Sequence, residues 1–154
     1  MPKFQLVALG GTFDILHKGH FALLNTAFSI SSKVIIGITS DEFAAKKGKN
    51  LLHNYSQRHQ LLESIIRKNF LNPQYEICKL ENDFGQAVLE SCVEALVVSE
   101  ETIGQGQVLN RLRNEIQQSS VEIISVPMVL ATDGKRISTT RIKNSEIDTE
   151  GNLL

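Results

Sequence analysis

The chain has 154 residues, 42% hydrophobic and 21% charged, with a formal net charge of −1. That size and mix describe one soluble domain around one core, and the near-zero charge argues against a general binder of nucleic acid or of membrane surfaces. No apolar run approaches the roughly 20 residues of a membrane span, and the first strand begins too early to leave room for a signal peptide.

In chain order, residues 4–9 read as a buried strand and 19–29 as a helix with Phe21, Leu24, Ala27 and Phe28 on one face. Residues 33–39 form a second apolar strand. Ser56 then caps a helix reaching about Asn69, with Leu61, Leu62, Ile65 and Ile66 at helical spacing. Residues 75–80 are a third strand, followed by a short helical stretch at 86–91. Residues 95–99 are a fourth strand, 108–118 a helix and 121–126 a fifth strand. Short apolar strands alternating with helices predict an α/β fold, a Rossmann-like parallel five-stranded sheet with helices on both faces. This single domain spans 1–144, and the polar, weakly patterned residues 145–154 read as a mobile or partner-dependent tail. Cys78 and Cys92, in apolar surroundings, read as reduced core residues of a cytoplasmic protein, and a structural zinc site is not expected.

The densest chemistry lies in Gly10-Gly11-Thr12-Phe13-Asp14-Ile15-Leu16-His17-Lys18-Gly19-His20, between the first strand and the first helix. Glycines let the backbone turn and approach a ligand, and the helix start offers unpaired N–H groups to an anion. Two imidazoles three residues apart, with the Thr12 hydroxyl, supply donors where charge grows during attack on a phosphorus. Asp14 either orders this loop or orients Thr12. A second group, Lys135-Arg136-Ile137-Ser138-Thr139-Thr140-Arg141-Ile142, combines a helix cap with flanking basic residues, an anion site suited to phosphates. Lys46, Lys47 and Lys49 follow the second strand, as a solvated face or as a cationic flap. Arg58 reads as a surface residue. Asp83-Phe84-Gly85 is a candidate substrate-pocket turn, since none of the other kinase motifs accompanies it.

The first string resembles the nucleotidyltransferase superfamily marked by His-x-Gly-His, which also carries an Ile-Ser-Ser/Thr-Thr element near its C-terminus. With Ile36-Gly37-Ile38-Thr39-Ser40-Asp41, Val97-Val98-Ser99-Glu100-Glu101-Thr102 and residues 133–142, in order across nearly the whole chain, the sequence is similar to phosphopantetheine adenylyltransferases of the archaeal and eukaryotic type. The resemblance implies reversible transfer of AMP from ATP, accompanied by Mg2+, to 4′-phosphopantetheine, giving dephospho-coenzyme A and pyrophosphate. It places Thr12 between the substrates on the acceptor phosphate, the Phe13 backbone on ATP, and His17 and His20 on the triphosphate, with His20 stabilising the transition state. Ser138, Thr139, Thr140 and Arg141 would cradle the β- and γ-phosphates, with Gly11, Gly19 and Ile137 beside the nucleotide. Asp14, Phe84 and Gly85 fall on the acceptor side. Lys46 is the nearest counterpart of a catalytic lysine, in a register shared with Lys47 and Lys49. Ser99-Glu100-Glu101-Thr102 replaces the arginine-bearing loop of the bacterial enzymes, leaving Arg111 or Arg113 as substitutes.

Three other readings compete. A cytidylyltransferase of the glycerol-3-phosphate type shares both motifs, but places Arg-Thr-x-Gly where this chain has Asp133-Gly134-Lys135-Arg136. An archaeal-type FAD synthetase is another. A non-catalytic module of the same fold is expected to lose a histidine or a hydroxyl, and here both motifs are intact. A fused dephospho-coenzyme A kinase is not expected, because these residues hold no G-x-x-x-x-G-K-[ST] loop.

Overall fold

A computed structural model describes residues 2–85 and 92–154. The elements run β1 (Phe4–Gly11), α1 (Lys18–Ile30), β2 (Ser31–Thr39), α2 (Asp41–Lys46), α3 (Tyr55–Asn69), β3 (Tyr75–Leu80) and β4 (Ala95–Ser99). A 3-10 turn (Glu100–Thr102), α4 (Gly104–Glu115), β5 (Glu122–Val126) and α5 (Thr139–Lys143) follow. The five strands pair in parallel in the order β3-β2-β1-β4-β5. The order reverses beside β1, and in an open sheet of this kind ligands enter the crevice at the carboxyl ends on either side of that reversal.

The strands are continuously apolar because both of their faces are covered. Val7, Leu9, Val34, Ile36 and Ile38 pack with Leu24 and Ala27 of α1 and Leu62 and Ile66 of α3. The alternate residues Ala8, Ile35, Leu96 and Val98 pack with Leu109 of α4 and with Phe84, Val93 and Val121. Parallel strands buried on both sides have this composition.

Several boundaries differ from the sequence expectation for local reasons. Asn54, not Ser56, caps α3: its side chain accepts from Gln57 N at 2.9 Å and Gln57 Oε1 accepts from Asn54 N at 2.9 Å. That reciprocal bond holds two otherwise unpaired donors. Helix α4 begins at Gly104, ahead of the expected Val108, because Gly104 and Gly106 hide its first turn from a periodicity reading. The stretch expected to be helical at 86–91 lies outside the described residues.

The expected tail at 145–154 is folded against the domain. Ile147 is 0% exposed and packs with Ala131 and Ile137. It bridges Leu153 in antiparallel fashion, while Thr132 N donates to Gly151 O at 2.8 Å and Lys18 N to Thr149 O at 3.3 Å. Ile147 is the buried apolar side chain of this polar segment, and the backbone bonds add to its docking. Neither cysteine forms a disulfide; Cys78 is partly buried and packs against the Ala8 and Ile35 cluster, while Cys92 is exposed and is not the core residue expected.

Candidate active site

The turn between β1 and α1 builds its donors from backbone geometry. Phe13 adopts φ 55, a left-handed conformation rare for a bulky residue, and such strain collects at functional turns. Its ring, 1% exposed, lies 5.1 Å from that of His20. His17 caps α1: its Nδ1 accepts from Gly19 N at 3.0 Å, and His20 Nδ1 accepts from His17 N at 3.3 Å. Nδ1 acts as an acceptor on both rings, so each neutral imidazole carries its proton on Nε2. The rings stack with centroids 4.0 Å apart. Burial, then the charge of Arg136, lowers the His17 pKa to about 4; burial, then His17, lowers that of His20 to about 3. Both are neutral hydrogen-bond donors at pH 7. A Cβ on Gly19 would stand 2.8 Å from Cε1 of His17, so only glycine leaves room for this ring.

The lysine segment takes a different path from the expected one. Helix α2 absorbs residues 41–46, leaving Lys46 exposed on its last turn. Gly48, at φ 76, then reverses the chain. Lys49 therefore reaches the site, its Nζ donating to Thr12 Oγ1 at 2.7 Å, while Lys47 pairs with Asp83 at 2.6 Å. Partial burial, then the charges of Lys47, Arg58 and Lys143, hold the Lys49 pKa below its ordinary value.

Arg58, expected at the surface, is 0% exposed. Its guanidinium donates to the carbonyls of Thr12 (2.9 Å), Thr39 (2.8 Å) and His53 (3.2 Å) and to Asp41 (2.8 Å). It binds together the carboxyl ends of β1 and β2 and the start of α3. A signal existed: a cation in the first turn of a helix opposes the helix dipole and calls for a specific partner.

Asp14, 3% exposed, accepts from the amides of Leu52 and His53, both at 3.0 Å, and from Lys143 Nζ at 2.7 Å. Burial alone would raise its carboxyl, but Lys143 and the two amides outweigh that and hold it below the usual range. Its oxygens order the loop, the first of the two roles read from the sequence.

In the second motif Ser138 Oγ accepts from Arg141 N at 3.2 Å as the cap of α5, and Thr139 Oγ1 donates to Ile15 O at 3.3 Å. The first helical bond in α5 is Ile142 N to Ser138 O, so the amides of Thr139 and Thr140 precede it and have no intrahelical acceptor. Ile137 is buried beneath them. Arg141 turns away from the cleft: it pairs with Asp133 at 2.5 Å and Glu146 at 3.2 Å and donates to Arg136 O at 2.8 Å. Arg113 is buried and donates to Ser119 O at 2.8 Å, and Arg111 is exposed on the same helix. Neither lines a cavity described here.

Two cavities flank the first turn. A narrow one of about 190 Å³ lies over the carboxyl ends of β1–β4 and is walled by Gly11, Phe84, Val98, Thr102 and Gln105. The Gly85 turn lies at φ 50 just beyond Phe84. A broader cleft of about 500 Å³ is lined by Phe13, His20, Thr139, Thr140 and Lys143. Thr12 and Lys49 line both. The site thus offers two compartments meeting at one hydroxyl–ammonium pair. His17 lines neither cavity and instead holds His20; Lys46 and Arg141 lie outside both.

A family model described as cytidylyltransferase-like matches residues 8–145. Phosphopantetheine adenylyltransferase of Methanothermobacter thermautotrophicus is 41% identical over 152 residues, covering 99% of this chain and 91% of its own. The protein of that name from Methanosarcina barkeri is 42% identical over 156 residues, covering 99% and 93%. A solved structure, a protein of unknown function from Archaeoglobus fulgidus, aligns with a TM-score of 0.69 and 28% identity over 80% of this chain and 89% of that one. With its motifs, sheet order and near-complete alignment in agreement, this chain belongs to the cytidylyltransferase-like family, where it stands among the phosphopantetheine adenylyltransferases.

Proposed function

We propose that this protein transfers AMP reversibly from ATP to 4′-phosphopantetheine, forming dephospho-coenzyme A and pyrophosphate in coenzyme A synthesis. The observation that carries the reading is the pair of cavities joined at Thr12 and Lys49. The narrow one suits a thin pantetheine arm against Phe84, and the broad one, within the roughly 300–1,000 Å³ of small-ligand pockets, a nucleotide.

An oxygen of the acceptor phosphate attacks the α-phosphorus, and its new P–O bond forms as the bond to the pyrophosphate oxygen breaks. Lys49 donates to Thr12 Oγ1, which leaves the Thr12 proton for the acceptor phosphate. His20 offers Nε2–H to the oxygens where charge grows, and His17 fixes its ring and tautomer. The turn at Phe13 and the amides of Thr139 and Thr140 receive the triphosphate, with Lys49 supplying positive charge. Arg141 braces the 131–137 loop beneath these amides through Asp133 and the Arg136 carbonyl. Mg2+ travels with ATP as part of that substrate. Asp14 and Asp133, which belong to the two motif regions, are engaged by Lys143 and Arg141, so the ion would be held chiefly through the phosphates of ATP.

No described helix is long and apolar enough to cross a membrane. A cytoplasmic location belongs to the proposal and rests on the use of ATP and on two cysteines outside any disulfide. The test is pyrophosphate release from ATP plus phosphopantetheine, measured beside CTP plus glycerol 3-phosphate. Turnover with the first pair is expected, and turnover confined to the second would replace this reading with the cytidylyltransferase one.

A further inference from the structure

Asp14 is where three chain segments meet. It belongs to the first motif, receives the amides of Leu52 and His53 from the lysine loop, and receives Lys143 from α5. The Lys143 ammonium also donates to the Asn50 carbonyl. Residues 50–53 are thus fastened by a carboxylate on one side and a cation on the other. Lys143 follows the Ile-Ser-Thr-Thr motif by three residues, and neither family motif includes it.

The loop needs such fastening. Lys49 loses hydration on partial burial and stands near Lys47, Arg58 and Lys143, and its Nζ donates to the neutral hydroxyl of Thr12. A lysine side chain also has large rotamer freedom to lose. Gly48, on its amino side at φ 76, turns the chain out of α2 and offers no side chain to brace the lysine. The Lys49 amide donates to Ala44 O of α2 at 3.1 Å, and the restraint from outside α2 is on the carboxyl side, at Asn50, Leu52 and His53, where Asp14 and Lys143 bind.

We propose that Lys143 is a positioning residue for adenylyl transfer: through Asp14 and the Asn50 carbonyl it holds the 49–53 loop so that Lys49 stays on the Thr12 hydroxyl. The proposal rests on the reaction assigned above. The alternative is that Lys143, which lines the broad cleft, contacts the triphosphate itself.

The two roles predict different kinetics. A positioning residue acts through Lys49, so its removal lowers kcat and leaves ATP binding nearly intact. Lys143→Met keeps most of the packing stem; it is expected to lower kcat about tenfold while KM for ATP changes less than about twofold. Lys143→Arg is expected to restore most of the loss. In a Lys49→Ala background Lys143→Met is expected to add less than about twofold, because nothing is left to position. Losses that multiply in the double variant, or a loss confined to KM for ATP, overturn the proposal in favour of direct contact. Lys143→Met strands the Asp14 carboxylate, so Asp14→Asn/Lys143→Met serves as the second variant if the single one does not fold. Amide hydrogen exchange across residues 49–53 is measured on the same proteins without substrates. It is expected to quicken in Lys143→Met whichever reaction the enzyme runs, and unchanged exchange sinks the latch. Wild-type inactivity toward ATP plus phosphopantetheine sinks the reaction alone.

Discussion

The His-x-Gly-His turn and the lysine loop both deliver donors to the junction of the two cavities, yet they are held by different means. The turn is held locally. Each histidine is fixed by an amide two or three residues away, inside one capping arrangement at the start of α1. The loop leaves α2 through local backbone bonds such as Lys49 N to Ala44 O, and beyond them it is held by Asp14, Lys143 and the His53–Arg58 contact, from three separate elements. Local fixation gives donors of set tautomer and direction, suited to the charge that develops at the reacting phosphorus. Distant fixation gives a cation whose place depends on several segments having docked.

The sharpest way to break this comparison is at His20. His20→Ala should lower kcat at least about 100-fold with the melting temperature little changed, because one preorganised donor at the reacting centre is worth about 2.7–4 kcal/mol. Near-normal turnover would remove the turn from the chemistry.

On the loop, Lys49→Ala should lower kcat about 10- to 150-fold, the equivalent of a charge-assisted hydrogen bond of about 1.5–3 kcal/mol. Lys46→Ala should stay within about twofold of wild type. Steady-state rates of both variants decide between the two registers, and the reverse ranking would restore the sequence reading.

Gly19→Ala sharpens the local side. The new Cβ would meet the His17 ring at 2.8 Å, so the ring must leave its rotamer, at about 0.5–1.5 kcal/mol. A kcat loss of about 2- to 10-fold is expected, and a smaller one would mean that His17 does not set the position of His20.

A different readout is stability against pH. Both histidines are neutral in the folded protein, with pKa values of about 4 and about 3, against 6.5 in the unfolded chain. Between those values the unfolded state binds more protons, so their contribution is intact above pH 6.5 and is lost as the pH falls toward 4 and then 3. The melting temperature should be lower at pH 5 than at pH 7.5, and His17→Asn should narrow the gap. An equal gap in both proteins would show that other groups set it.

What could be read from sequence follows the same division between local and distant. The strands, α1 and the first motif were legible because apolar periodicity and fixed spacings are local properties. The register of the lysine was not: it depends on α2 consuming 41–46 and on a reversal at Gly48. Arg58 and Lys143 each look like a surface cation on a helix, and only the fold brings Thr12, Thr39 and Asp14 to them. Arg141 has the reverse history, since its place after the motif suggested phosphate while Asp133 and Glu146, on the loops either side of α5, take it up.

The docking of the last segment bears on the order of folding. Thr149 bonds to the backbone of Lys18 at the start of α1, and Ile147 fills the space beneath Ile137. Residues near one end of the chain therefore complete the support of a turn near the other. Contacts of such sequence separation form late, after shorter loops have closed. During synthesis the sheet has its strands in hand well before residues 147–151 emerge, so the floor of the second motif is among the last parts to assemble. A ribosome-bound chain stopped just after α5 should have its sheet in place and a site still unfinished.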